Sequence, residues 1–105
     1  MPNRHTLEDV KFDWDPEKNE QLKKERGISF EEIALLLGAG HLWAVSKHWN
    51  EQKYLNQRVF LVPIEGYIYA VPFVRDRDGF FLKTAFPSRK LTKQYRKELE
   101  KNENS

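Results

Sequence analysis

The chain contains no cysteine, which excludes disulfides, zinc–thiolate sites, iron–sulfur clusters and cysteine nucleophiles. It also has no long apolar run, because the longest one, Ile33–Gly40, is far too short to cross a bilayer. Residues 1–25 carry charges throughout and hold no apolar segment of the kind found in secretory signals. These absences predict a cytoplasmic protein with no membrane partner.

Acidic residues are missing from one long stretch of the C-terminal half. Residues 1–53 contain eight Lys/Arg and ten Asp/Glu, whereas residues 54–105 contain ten Lys/Arg and six Asp/Glu. No Asp or Glu occurs between Gly79 and Lys97. A polyanion is therefore expected to meet the C-terminal half. The cations in that stretch are Lys83, Arg89, Lys90, Lys93, Arg96 and Lys97.

Aromatic residues are plentiful, at 13% of 105 residues, which is more than a disordered chain would carry. The length suits a single domain. We expect residues 10–101 to form it, after a flexible lead-in of residues 1–9 and before a polar tail of residues 102–105.

The first half of the chain has one strand pattern and two helix patterns. Apolar and polar residues alternate over Val10–Trp14, which predicts a short half-buried strand. Asp15-Pro16 is a favourable helix start, and Gly27 is a favourable stop. Ser29 begins a capping box for a second helix, whose apolar stripe over Phe30–Leu37 makes it the core helix.

The second half predicts a β-meander followed by a helix. Its strands are Arg58–Ile64, Tyr67–Val74 and Phe80–Phe86, and the helix runs from about residue 88 to 101. The alternation over residues 41–49 suggests a strand, but neither of its faces is consistently apolar. Helices packed on an antiparallel sheet define the α+β class. Pro63 and Pro72 each remove a ladder donor, so each must lie at an edge, a bulge or a strand end.

The basic residues are better functional candidates than the histidines, which lack the neighbours of a metal site or a hydrolase triad. By strand alternation, Arg58 shares a face with Phe60, and Lys83 shares one with Phe81 and Ala85. These cations either lie at strand ends or on an open face beside carboxylates, or they form an anion site completed by residues 88–90. RNA is a suitable anion, because its own 2′-hydroxyl can be the nucleophile. Such a reaction needs a base, cations for the phosphorane and an acid, but no cofactor.

Four segments resemble the BrnT-type toxins. Phe12–Asn19 is similar to that family's F-x-W-D-x-x-K-N, and Gly27–Glu32 is similar to its K-H-G-I-x-F-E-E-A. Lys83–Thr92 resembles its I-R-I-I-S-A-R-K-A-T, and Arg58-Val59-Phe60 is similar to its R-Y/V position on the central strand. The resemblance covers residues 12–96. It implies a RelE-like fold and a type II toxin–antitoxin ribonuclease that inhibits translation. The implied partners are RNA, a small DNA-binding antitoxin and, only through the antitoxin complex, DNA.

Two functional hypotheses follow from the resemblance and the charge pattern. The first is a metal-independent endoribonuclease. The second is a catalytically inactive relative that binds a partner protein or nucleic acid, since Glu25-Arg26 stands where the family carries Lys-His. The catalytic candidates of the first hypothesis are Arg58, Lys83, Arg89 and Glu25, where Glu25 is the base. Its substrate-binding candidates are Lys24, Arg26, Ser88 and Lys90.

Overall fold

A computed structural model describes residues 10–104, and the predicted lead-in of residues 1–9 lies outside this range. The chain forms three helices and six strands over the described residues. They are β1 (Lys11–Trp14), α1 (Pro16–Arg26), α2 (Phe30–Gly38), β2 (Ala44–Lys47), β3 (Gln57–Ile64), β4 (Tyr67–Arg75), β5 (Gly79–Leu82), β6 (Phe86–Pro87) and α3 (Arg89–Asn104). Helix α3 continues to Asn104, so the predicted tail is helical through that residue.

The strands form one mixed sheet in the order β1-β5-β4-β3-β2, with β6 also paired to β4. Strands β2 to β5 pair antiparallel, which confirms the α+β class and the predicted meander. Strand β1 joins the edge of β5 in parallel, a pairing that its alternating pattern did not reveal. None of the helices in residues 10–104 is long and apolar enough to span a membrane.

The boundaries of α1 and α2 follow the predicted capping residues. The Asp15 carboxylate accepts the backbone N–H of Glu17 at 2.9 Å, and Gly27 ends α1 with a positive φ of 70°. Ser29 Oγ accepts the N–H of Glu32 at 3.1 Å and begins α2. These local signals are strong because each satisfies a backbone group that the helix itself leaves without a partner.

A buried asparagine joins the two helices. Asn19 is only 4% exposed, and its Oδ1 accepts the backbone N–H of Phe30 at 2.8 Å. Its Nδ2 donates to Glu31 Oε1 at 2.7 Å. This hydrogen bond to the carboxylate is the main reason that the pKa of Glu31 is lowered from its usual value. The side chain of Asn19 thus sets the angle at which α1 leads into α2.

The main core lies between the sheet and the pair α1–α2. Phe30, Ile33 and Leu37 of α2 are fully buried, as the predicted stripe requires. On the sheet, the rings of Phe60 and Phe73 stack at 3.8 Å on neighbouring strands. The remaining buried members of this core are Leu22, Ile28, Val62, Ile64, Val71, Leu82 and Ala85.

A smaller core lies on the opposite face of the sheet, under α3. Its buried members are Val59, Leu61, Ile68 and Ala70. Leu91 and Tyr95 of α3 pack against them. Thr92 attaches α3 to β4, because its hydroxyl accepts the N–H of Ile68 at 2.9 Å. The same hydroxyl donates to the carbonyl of Ser88 at 2.6 Å.

The predicted third strand is interrupted by a β-bulge. Between the pairs Phe73–Leu82 and Ala70–Phe86, β4 advances three residues while its partner advances four. The extra residue reverses the alternation, so Ala85 faces α1–α2 and Phe86 faces α3. The prediction that Lys83 and Ala85 share a face is therefore wrong, whereas Lys83 and Phe81 do share one.

Both prolines lie where the ladder is interrupted. The Pro72 carbonyl accepts the N–H of Lys83 at 2.8 Å, so its nitrogen faces the point where β5 ends and the bulge begins. The Leu61 carbonyl accepts the N–H of Trp43 at 2.9 Å. Backbone N–H and C=O groups of alternate residues in a strand point to the same side. The nitrogen of Pro63 therefore also points toward the β2 side of β3, but beyond Ala44, where β2 begins. Each proline therefore lies beside a strand end or a bulge, as the sequence analysis requires.

Replacement of Phe30 by alanine tests the main core. Phe30 is 0% exposed and stacks on Trp14 at 5.8 Å, so Phe30→Ala should lower the free energy of unfolding by about 3–5 kcal/mol. Leu35→Ala in the same helix is the control, because Leu35 is 75% exposed and should change stability by less than about 0.5 kcal/mol. Urea unfolding of both variants measures the difference, and equal destabilisation would contradict this core.

Replacement of Gly79 tests the parallel pairing of β1. A Cβ at Gly79 would lie 1.8 Å from the Lys11 carbonyl oxygen, so the two backbones would have to separate. We expect Gly79→Ala to cost at least about 1–3 kcal/mol of unfolding free energy. Gly38→Ala is the matched control, because nothing lies within 4 Å of its Cβ. A Gly79→Ala variant as stable as Gly38→Ala in thermal unfolding would refute the close approach.

Candidate nucleic-acid interface

A basic hollow of about 560 Å³ opens beside the first half of α3. Arg89, Lys93 and Arg96 follow the spacing i, i+4, i+7 and therefore share one face of the helix. Among residues 10–101, no carboxylate lines the hollow, so its four cations have no acidic side chain of that range among them. The lining within that range is Tyr67, Arg89, Lys90, Thr92, Lys93 and Arg96.

Arg96 is held in position at one end of this hollow. Its Nη2 donates to the Gly66 carbonyl at 3.1 Å, and its guanidinium carbon lies 5.6 Å from the centre of the Tyr67 ring. Tyr67 itself is 51% exposed. An anchored guanidinium loses little side-chain entropy when it binds an anion, which favours a phosphate ligand.

The start of α3 places like charges together. The hydroxyl of Ser88 caps the helix by accepting the N–H of Leu91 at 3.2 Å. Arg89 and Lys90 follow immediately, in the first turn, where the helix dipole is already positive. The cations and the dipole repel each other in the free protein, and a bound anion would be attracted by both. Arg89 and Lys90 line the basic hollow, whereas Ser88 caps the helix and is not part of that lining.

A second hollow, of about 210 Å³, lies between α1 and the bulge. It brings Glu25 and Arg26 beside Thr84, Ala85 and Phe86. Gln21 and Lys18, one and two turns earlier on α1, complete its polar side. Lys24 is exposed on the same helix and lines neither this hollow nor the basic hollow. The candidate base is therefore separated from the cations of α3.

Arg58 lies elsewhere again. Side chains alternate between the two faces of the sheet along β3. Arg58 is two residues from Phe60 and therefore lies on the same face, the one that α1–α2 cover. It lines a hollow of about 440 Å³ with Arg75 at the far end of the central hairpin. Lys83 lies on the same face of the sheet as Phe81, which is the α3 face. Its ammonium nitrogen is 5.4 Å from the centre of the Phe81 ring.

The expectation that Arg58, Lys83 and Arg89 converge on one anion is therefore wrong, because Arg58 points to the opposite face of the sheet. Sequence reasoning also left Tyr67, Lys93 and Arg96 out of the candidate site. The helical spacing of Arg89, Lys93 and Arg96 was a signal that could have identified the two cations. Nothing in the sequence placed Tyr67 beside them, since that contact joins a hairpin turn to a distant helix.

Comparison of the chain with known protein families, curated proteins and solved structures finds no match. The geometry and charge of the hollows therefore carry the functional argument.

Binding of single-stranded RNA as a function of salt tests the basic hollow. Removing the side chain that contacts one phosphate should flatten the slope of log K against log salt by about 0.7. We expect Lys93→Ala to weaken binding and to reduce the slope by that amount. Arg77→Ala is the control, because Arg77 is also exposed but lies between Asp76 and Asp78 in the β4–β5 turn. If fluorescence anisotropy shows both variants weakened equally, the hollow is not the binding surface.

Proposed function

We propose that the protein is the toxin of a type II toxin–antitoxin module and acts as a metal-independent endoribonuclease that inhibits translation. The observation that carries the proposal is the basic hollow on α3, where four cations meet without a carboxylate. Such a surface suits the closely spaced phosphates of a nucleic acid better than a single small anion.

The surrounding assignments follow from the resemblance to BrnT-type toxins. The α+β chain takes the RelE-like form of that fold and works in the cytoplasm. Its partners are RNA and a small antitoxin with a DNA-binding domain, and it reaches DNA only in the antitoxin complex. The support for this reading is the similarity of Phe12–Asn19, Gly27–Glu32 and Lys83–Thr92 to the motifs of that family.

The reaction starts with the 2′-hydroxyl of the substrate, which loses its proton to a base and attacks the adjacent phosphorus. The bond from phosphorus to the 5′-oxygen then breaks, which leaves a 2′,3′-cyclic phosphate, and the departing 5′-oxygen takes a proton from an acid, a role that a lysine or an arginine can fill. Arg89 and Lys90 are the cations that stabilise the charged phosphorane, and the positive end of α3 adds to their effect. Glu25 is the candidate base, with Arg26 beside it in the hollow against the bulge. Lys83 supplies a cation on the α3 face, and Lys24 adds positive charge along α1.

A second candidate function is a toxin-like module that binds RNA or a partner protein without catalysis. One specific observation favours it: Arg58, Glu25 and Arg89 line three separate hollows. A catalytic site requires its base and its phosphate-binding groups within hydrogen-bond reach of the same reacting atoms. Binding alone has no such requirement.

Expression in cells, with and without the antitoxin, tests the catalytic proposal. The wild-type protein alone should stop growth and lower translation, and Arg89→Ala should relieve both effects. Loss of one charge-stabilising group slows such reactions by about 100- to 1000-fold. Arg89→Ala should not destabilise the fold, because Arg89 is exposed and its charge opposes the helix dipole. Arg89→Lys should also be impaired if the contact with phosphate is bidentate.

The purified protein provides the second readout. Cleavage of RNA should persist in EDTA and should fall as salt rises. Intact RNA after incubation with well-folded wild-type protein, together with harmless expression, would overturn the nuclease proposal in favour of the binding module.

A further inference from the structure

Three aromatic rings stack in the segment that follows β2. The His48 ring lies 3.9 Å from the Trp49 ring, at an interplanar angle of 30°, and 4.5 Å from the Tyr54 ring. Trp49 also meets the edge of Phe86 at 5.5 Å and 78°. The segment is thereby attached to the strand that emerges from the bulge, three positions after Lys83.

Trp49 combines exposure with a fixed position. It is 64% exposed, whereas His48 beneath it is only 5% exposed. His48 Nδ1 accepts the backbone N–H of Asn50 at 3.0 Å, which fixes the ring on which Trp49 rests. A large apolar ring that is held on two sides and still open to solvent is characteristic of a binding anchor, since little entropy is lost on binding.

The charge around the rings suits an anionic ligand. Lys53 holds its ammonium 5.3 Å from the Tyr54 ring. Glu51 is the sole acidic residue between Lys47 and Tyr54, and it lies 3.5 Å from the Lys47 ammonium, which offsets its charge. Lys83 adds a further cation on the same face of the sheet as Phe86.

We propose that Trp49 is a stacking platform for one nucleobase of single-stranded RNA, an inference that rests on the proposed action on RNA. The base would continue the stack that Tyr54 and His48 begin, while nearby lysines contact the flanking phosphates. Proteins that bind single strands without reading sequence combine aromatic platforms with cations in this way. The platform specifies an unpaired base, because a base inside a duplex cannot offer its face.

Binding of an oligouridylate with 2′-O-methyl riboses tests the platform apart from catalysis, because this probe has no free 2′-hydroxyl to attack the phosphate. Stacking on one aromatic side chain contributes about 1–3 kcal/mol, so Trp49→Ala should weaken binding by about 5- to 150-fold. Trp49→Phe keeps a smaller ring and should restore most of the affinity. Leu55→Ala is the matched control, because Leu55 is 80% exposed in the same segment and should leave the affinity unchanged.

An abasic oligomer of the same length separates stacking from charge. Trp49→Ala should leave its affinity unchanged, because an abasic strand has phosphates but no base to stack. Equal weakening of both probes, or unchanged binding of the oligouridylate, would overturn the platform even if natural RNA is cleaved. A variant that keeps its RNA affinity but no longer binds the antitoxin would overturn it in favour of a protein contact. Trp49-dependent binding by a wild-type protein that cleaves nothing would support the platform and contradict the nuclease proposal.

Discussion

The central hairpin β3–β4 is buried on both faces, and the positions of all three helices depend on this constraint. Phe60 and Phe73 point from the hairpin toward α1–α2, whereas Leu61 and Ala70 point toward α3. A sheet with one face in water needs only one layer of helices to bury its apolar side chains. This hairpin has apolar side chains on both faces and therefore needs a helix packed on each. Helix α3 is therefore as necessary to the fold as α2.

The bulge after Lys83 adapts the third strand of the meander to this two-sided core. Without the extra residue, Phe86 would face α1–α2 and Ala85 would face α3, so the large ring and the small methyl would exchange places. The reversal places Phe86 against Trp49 and under α3. On the other side, Thr84 and Ala85 of the bulge line the second hollow together with Glu25 and Arg26 of α1. One backbone irregularity thus positions groups on both faces of the sheet.

Helix α3 divides its residues between stability and charge. Leu91, Thr92 and Tyr95 attach it to the sheet, and this packing offsets the repulsion between the helix dipole and its first cations. The adjacent side, with Arg89, Lys93 and Arg96, holds no member of the core. Like charges kept together at a cost to stability are typical of functional surfaces. Two aromatic residues are exposed on the part of the chain that the structure describes: Tyr67 lies beside Arg96, and Trp49 packs against Phe86.

The sequence by itself determined the helices, the meander and the α+β class, because capping residues and apolar spacing act through neighbours in the chain. Asp15, Gly27, Ser29 and the stripe from Phe30 to Leu37 all specify local hydrogen bonds or one helical face. It also determined that the excess of positive charge belongs to the C-terminal half, since charge distribution needs no fold. Tertiary structure alone decided which of them meet. Arg58 and Lys83 look equivalent in an alternating pattern, yet they face opposite sides of the sheet. The face that a strand residue occupies depends on register and bulges, which are set by packing between strands distant in sequence.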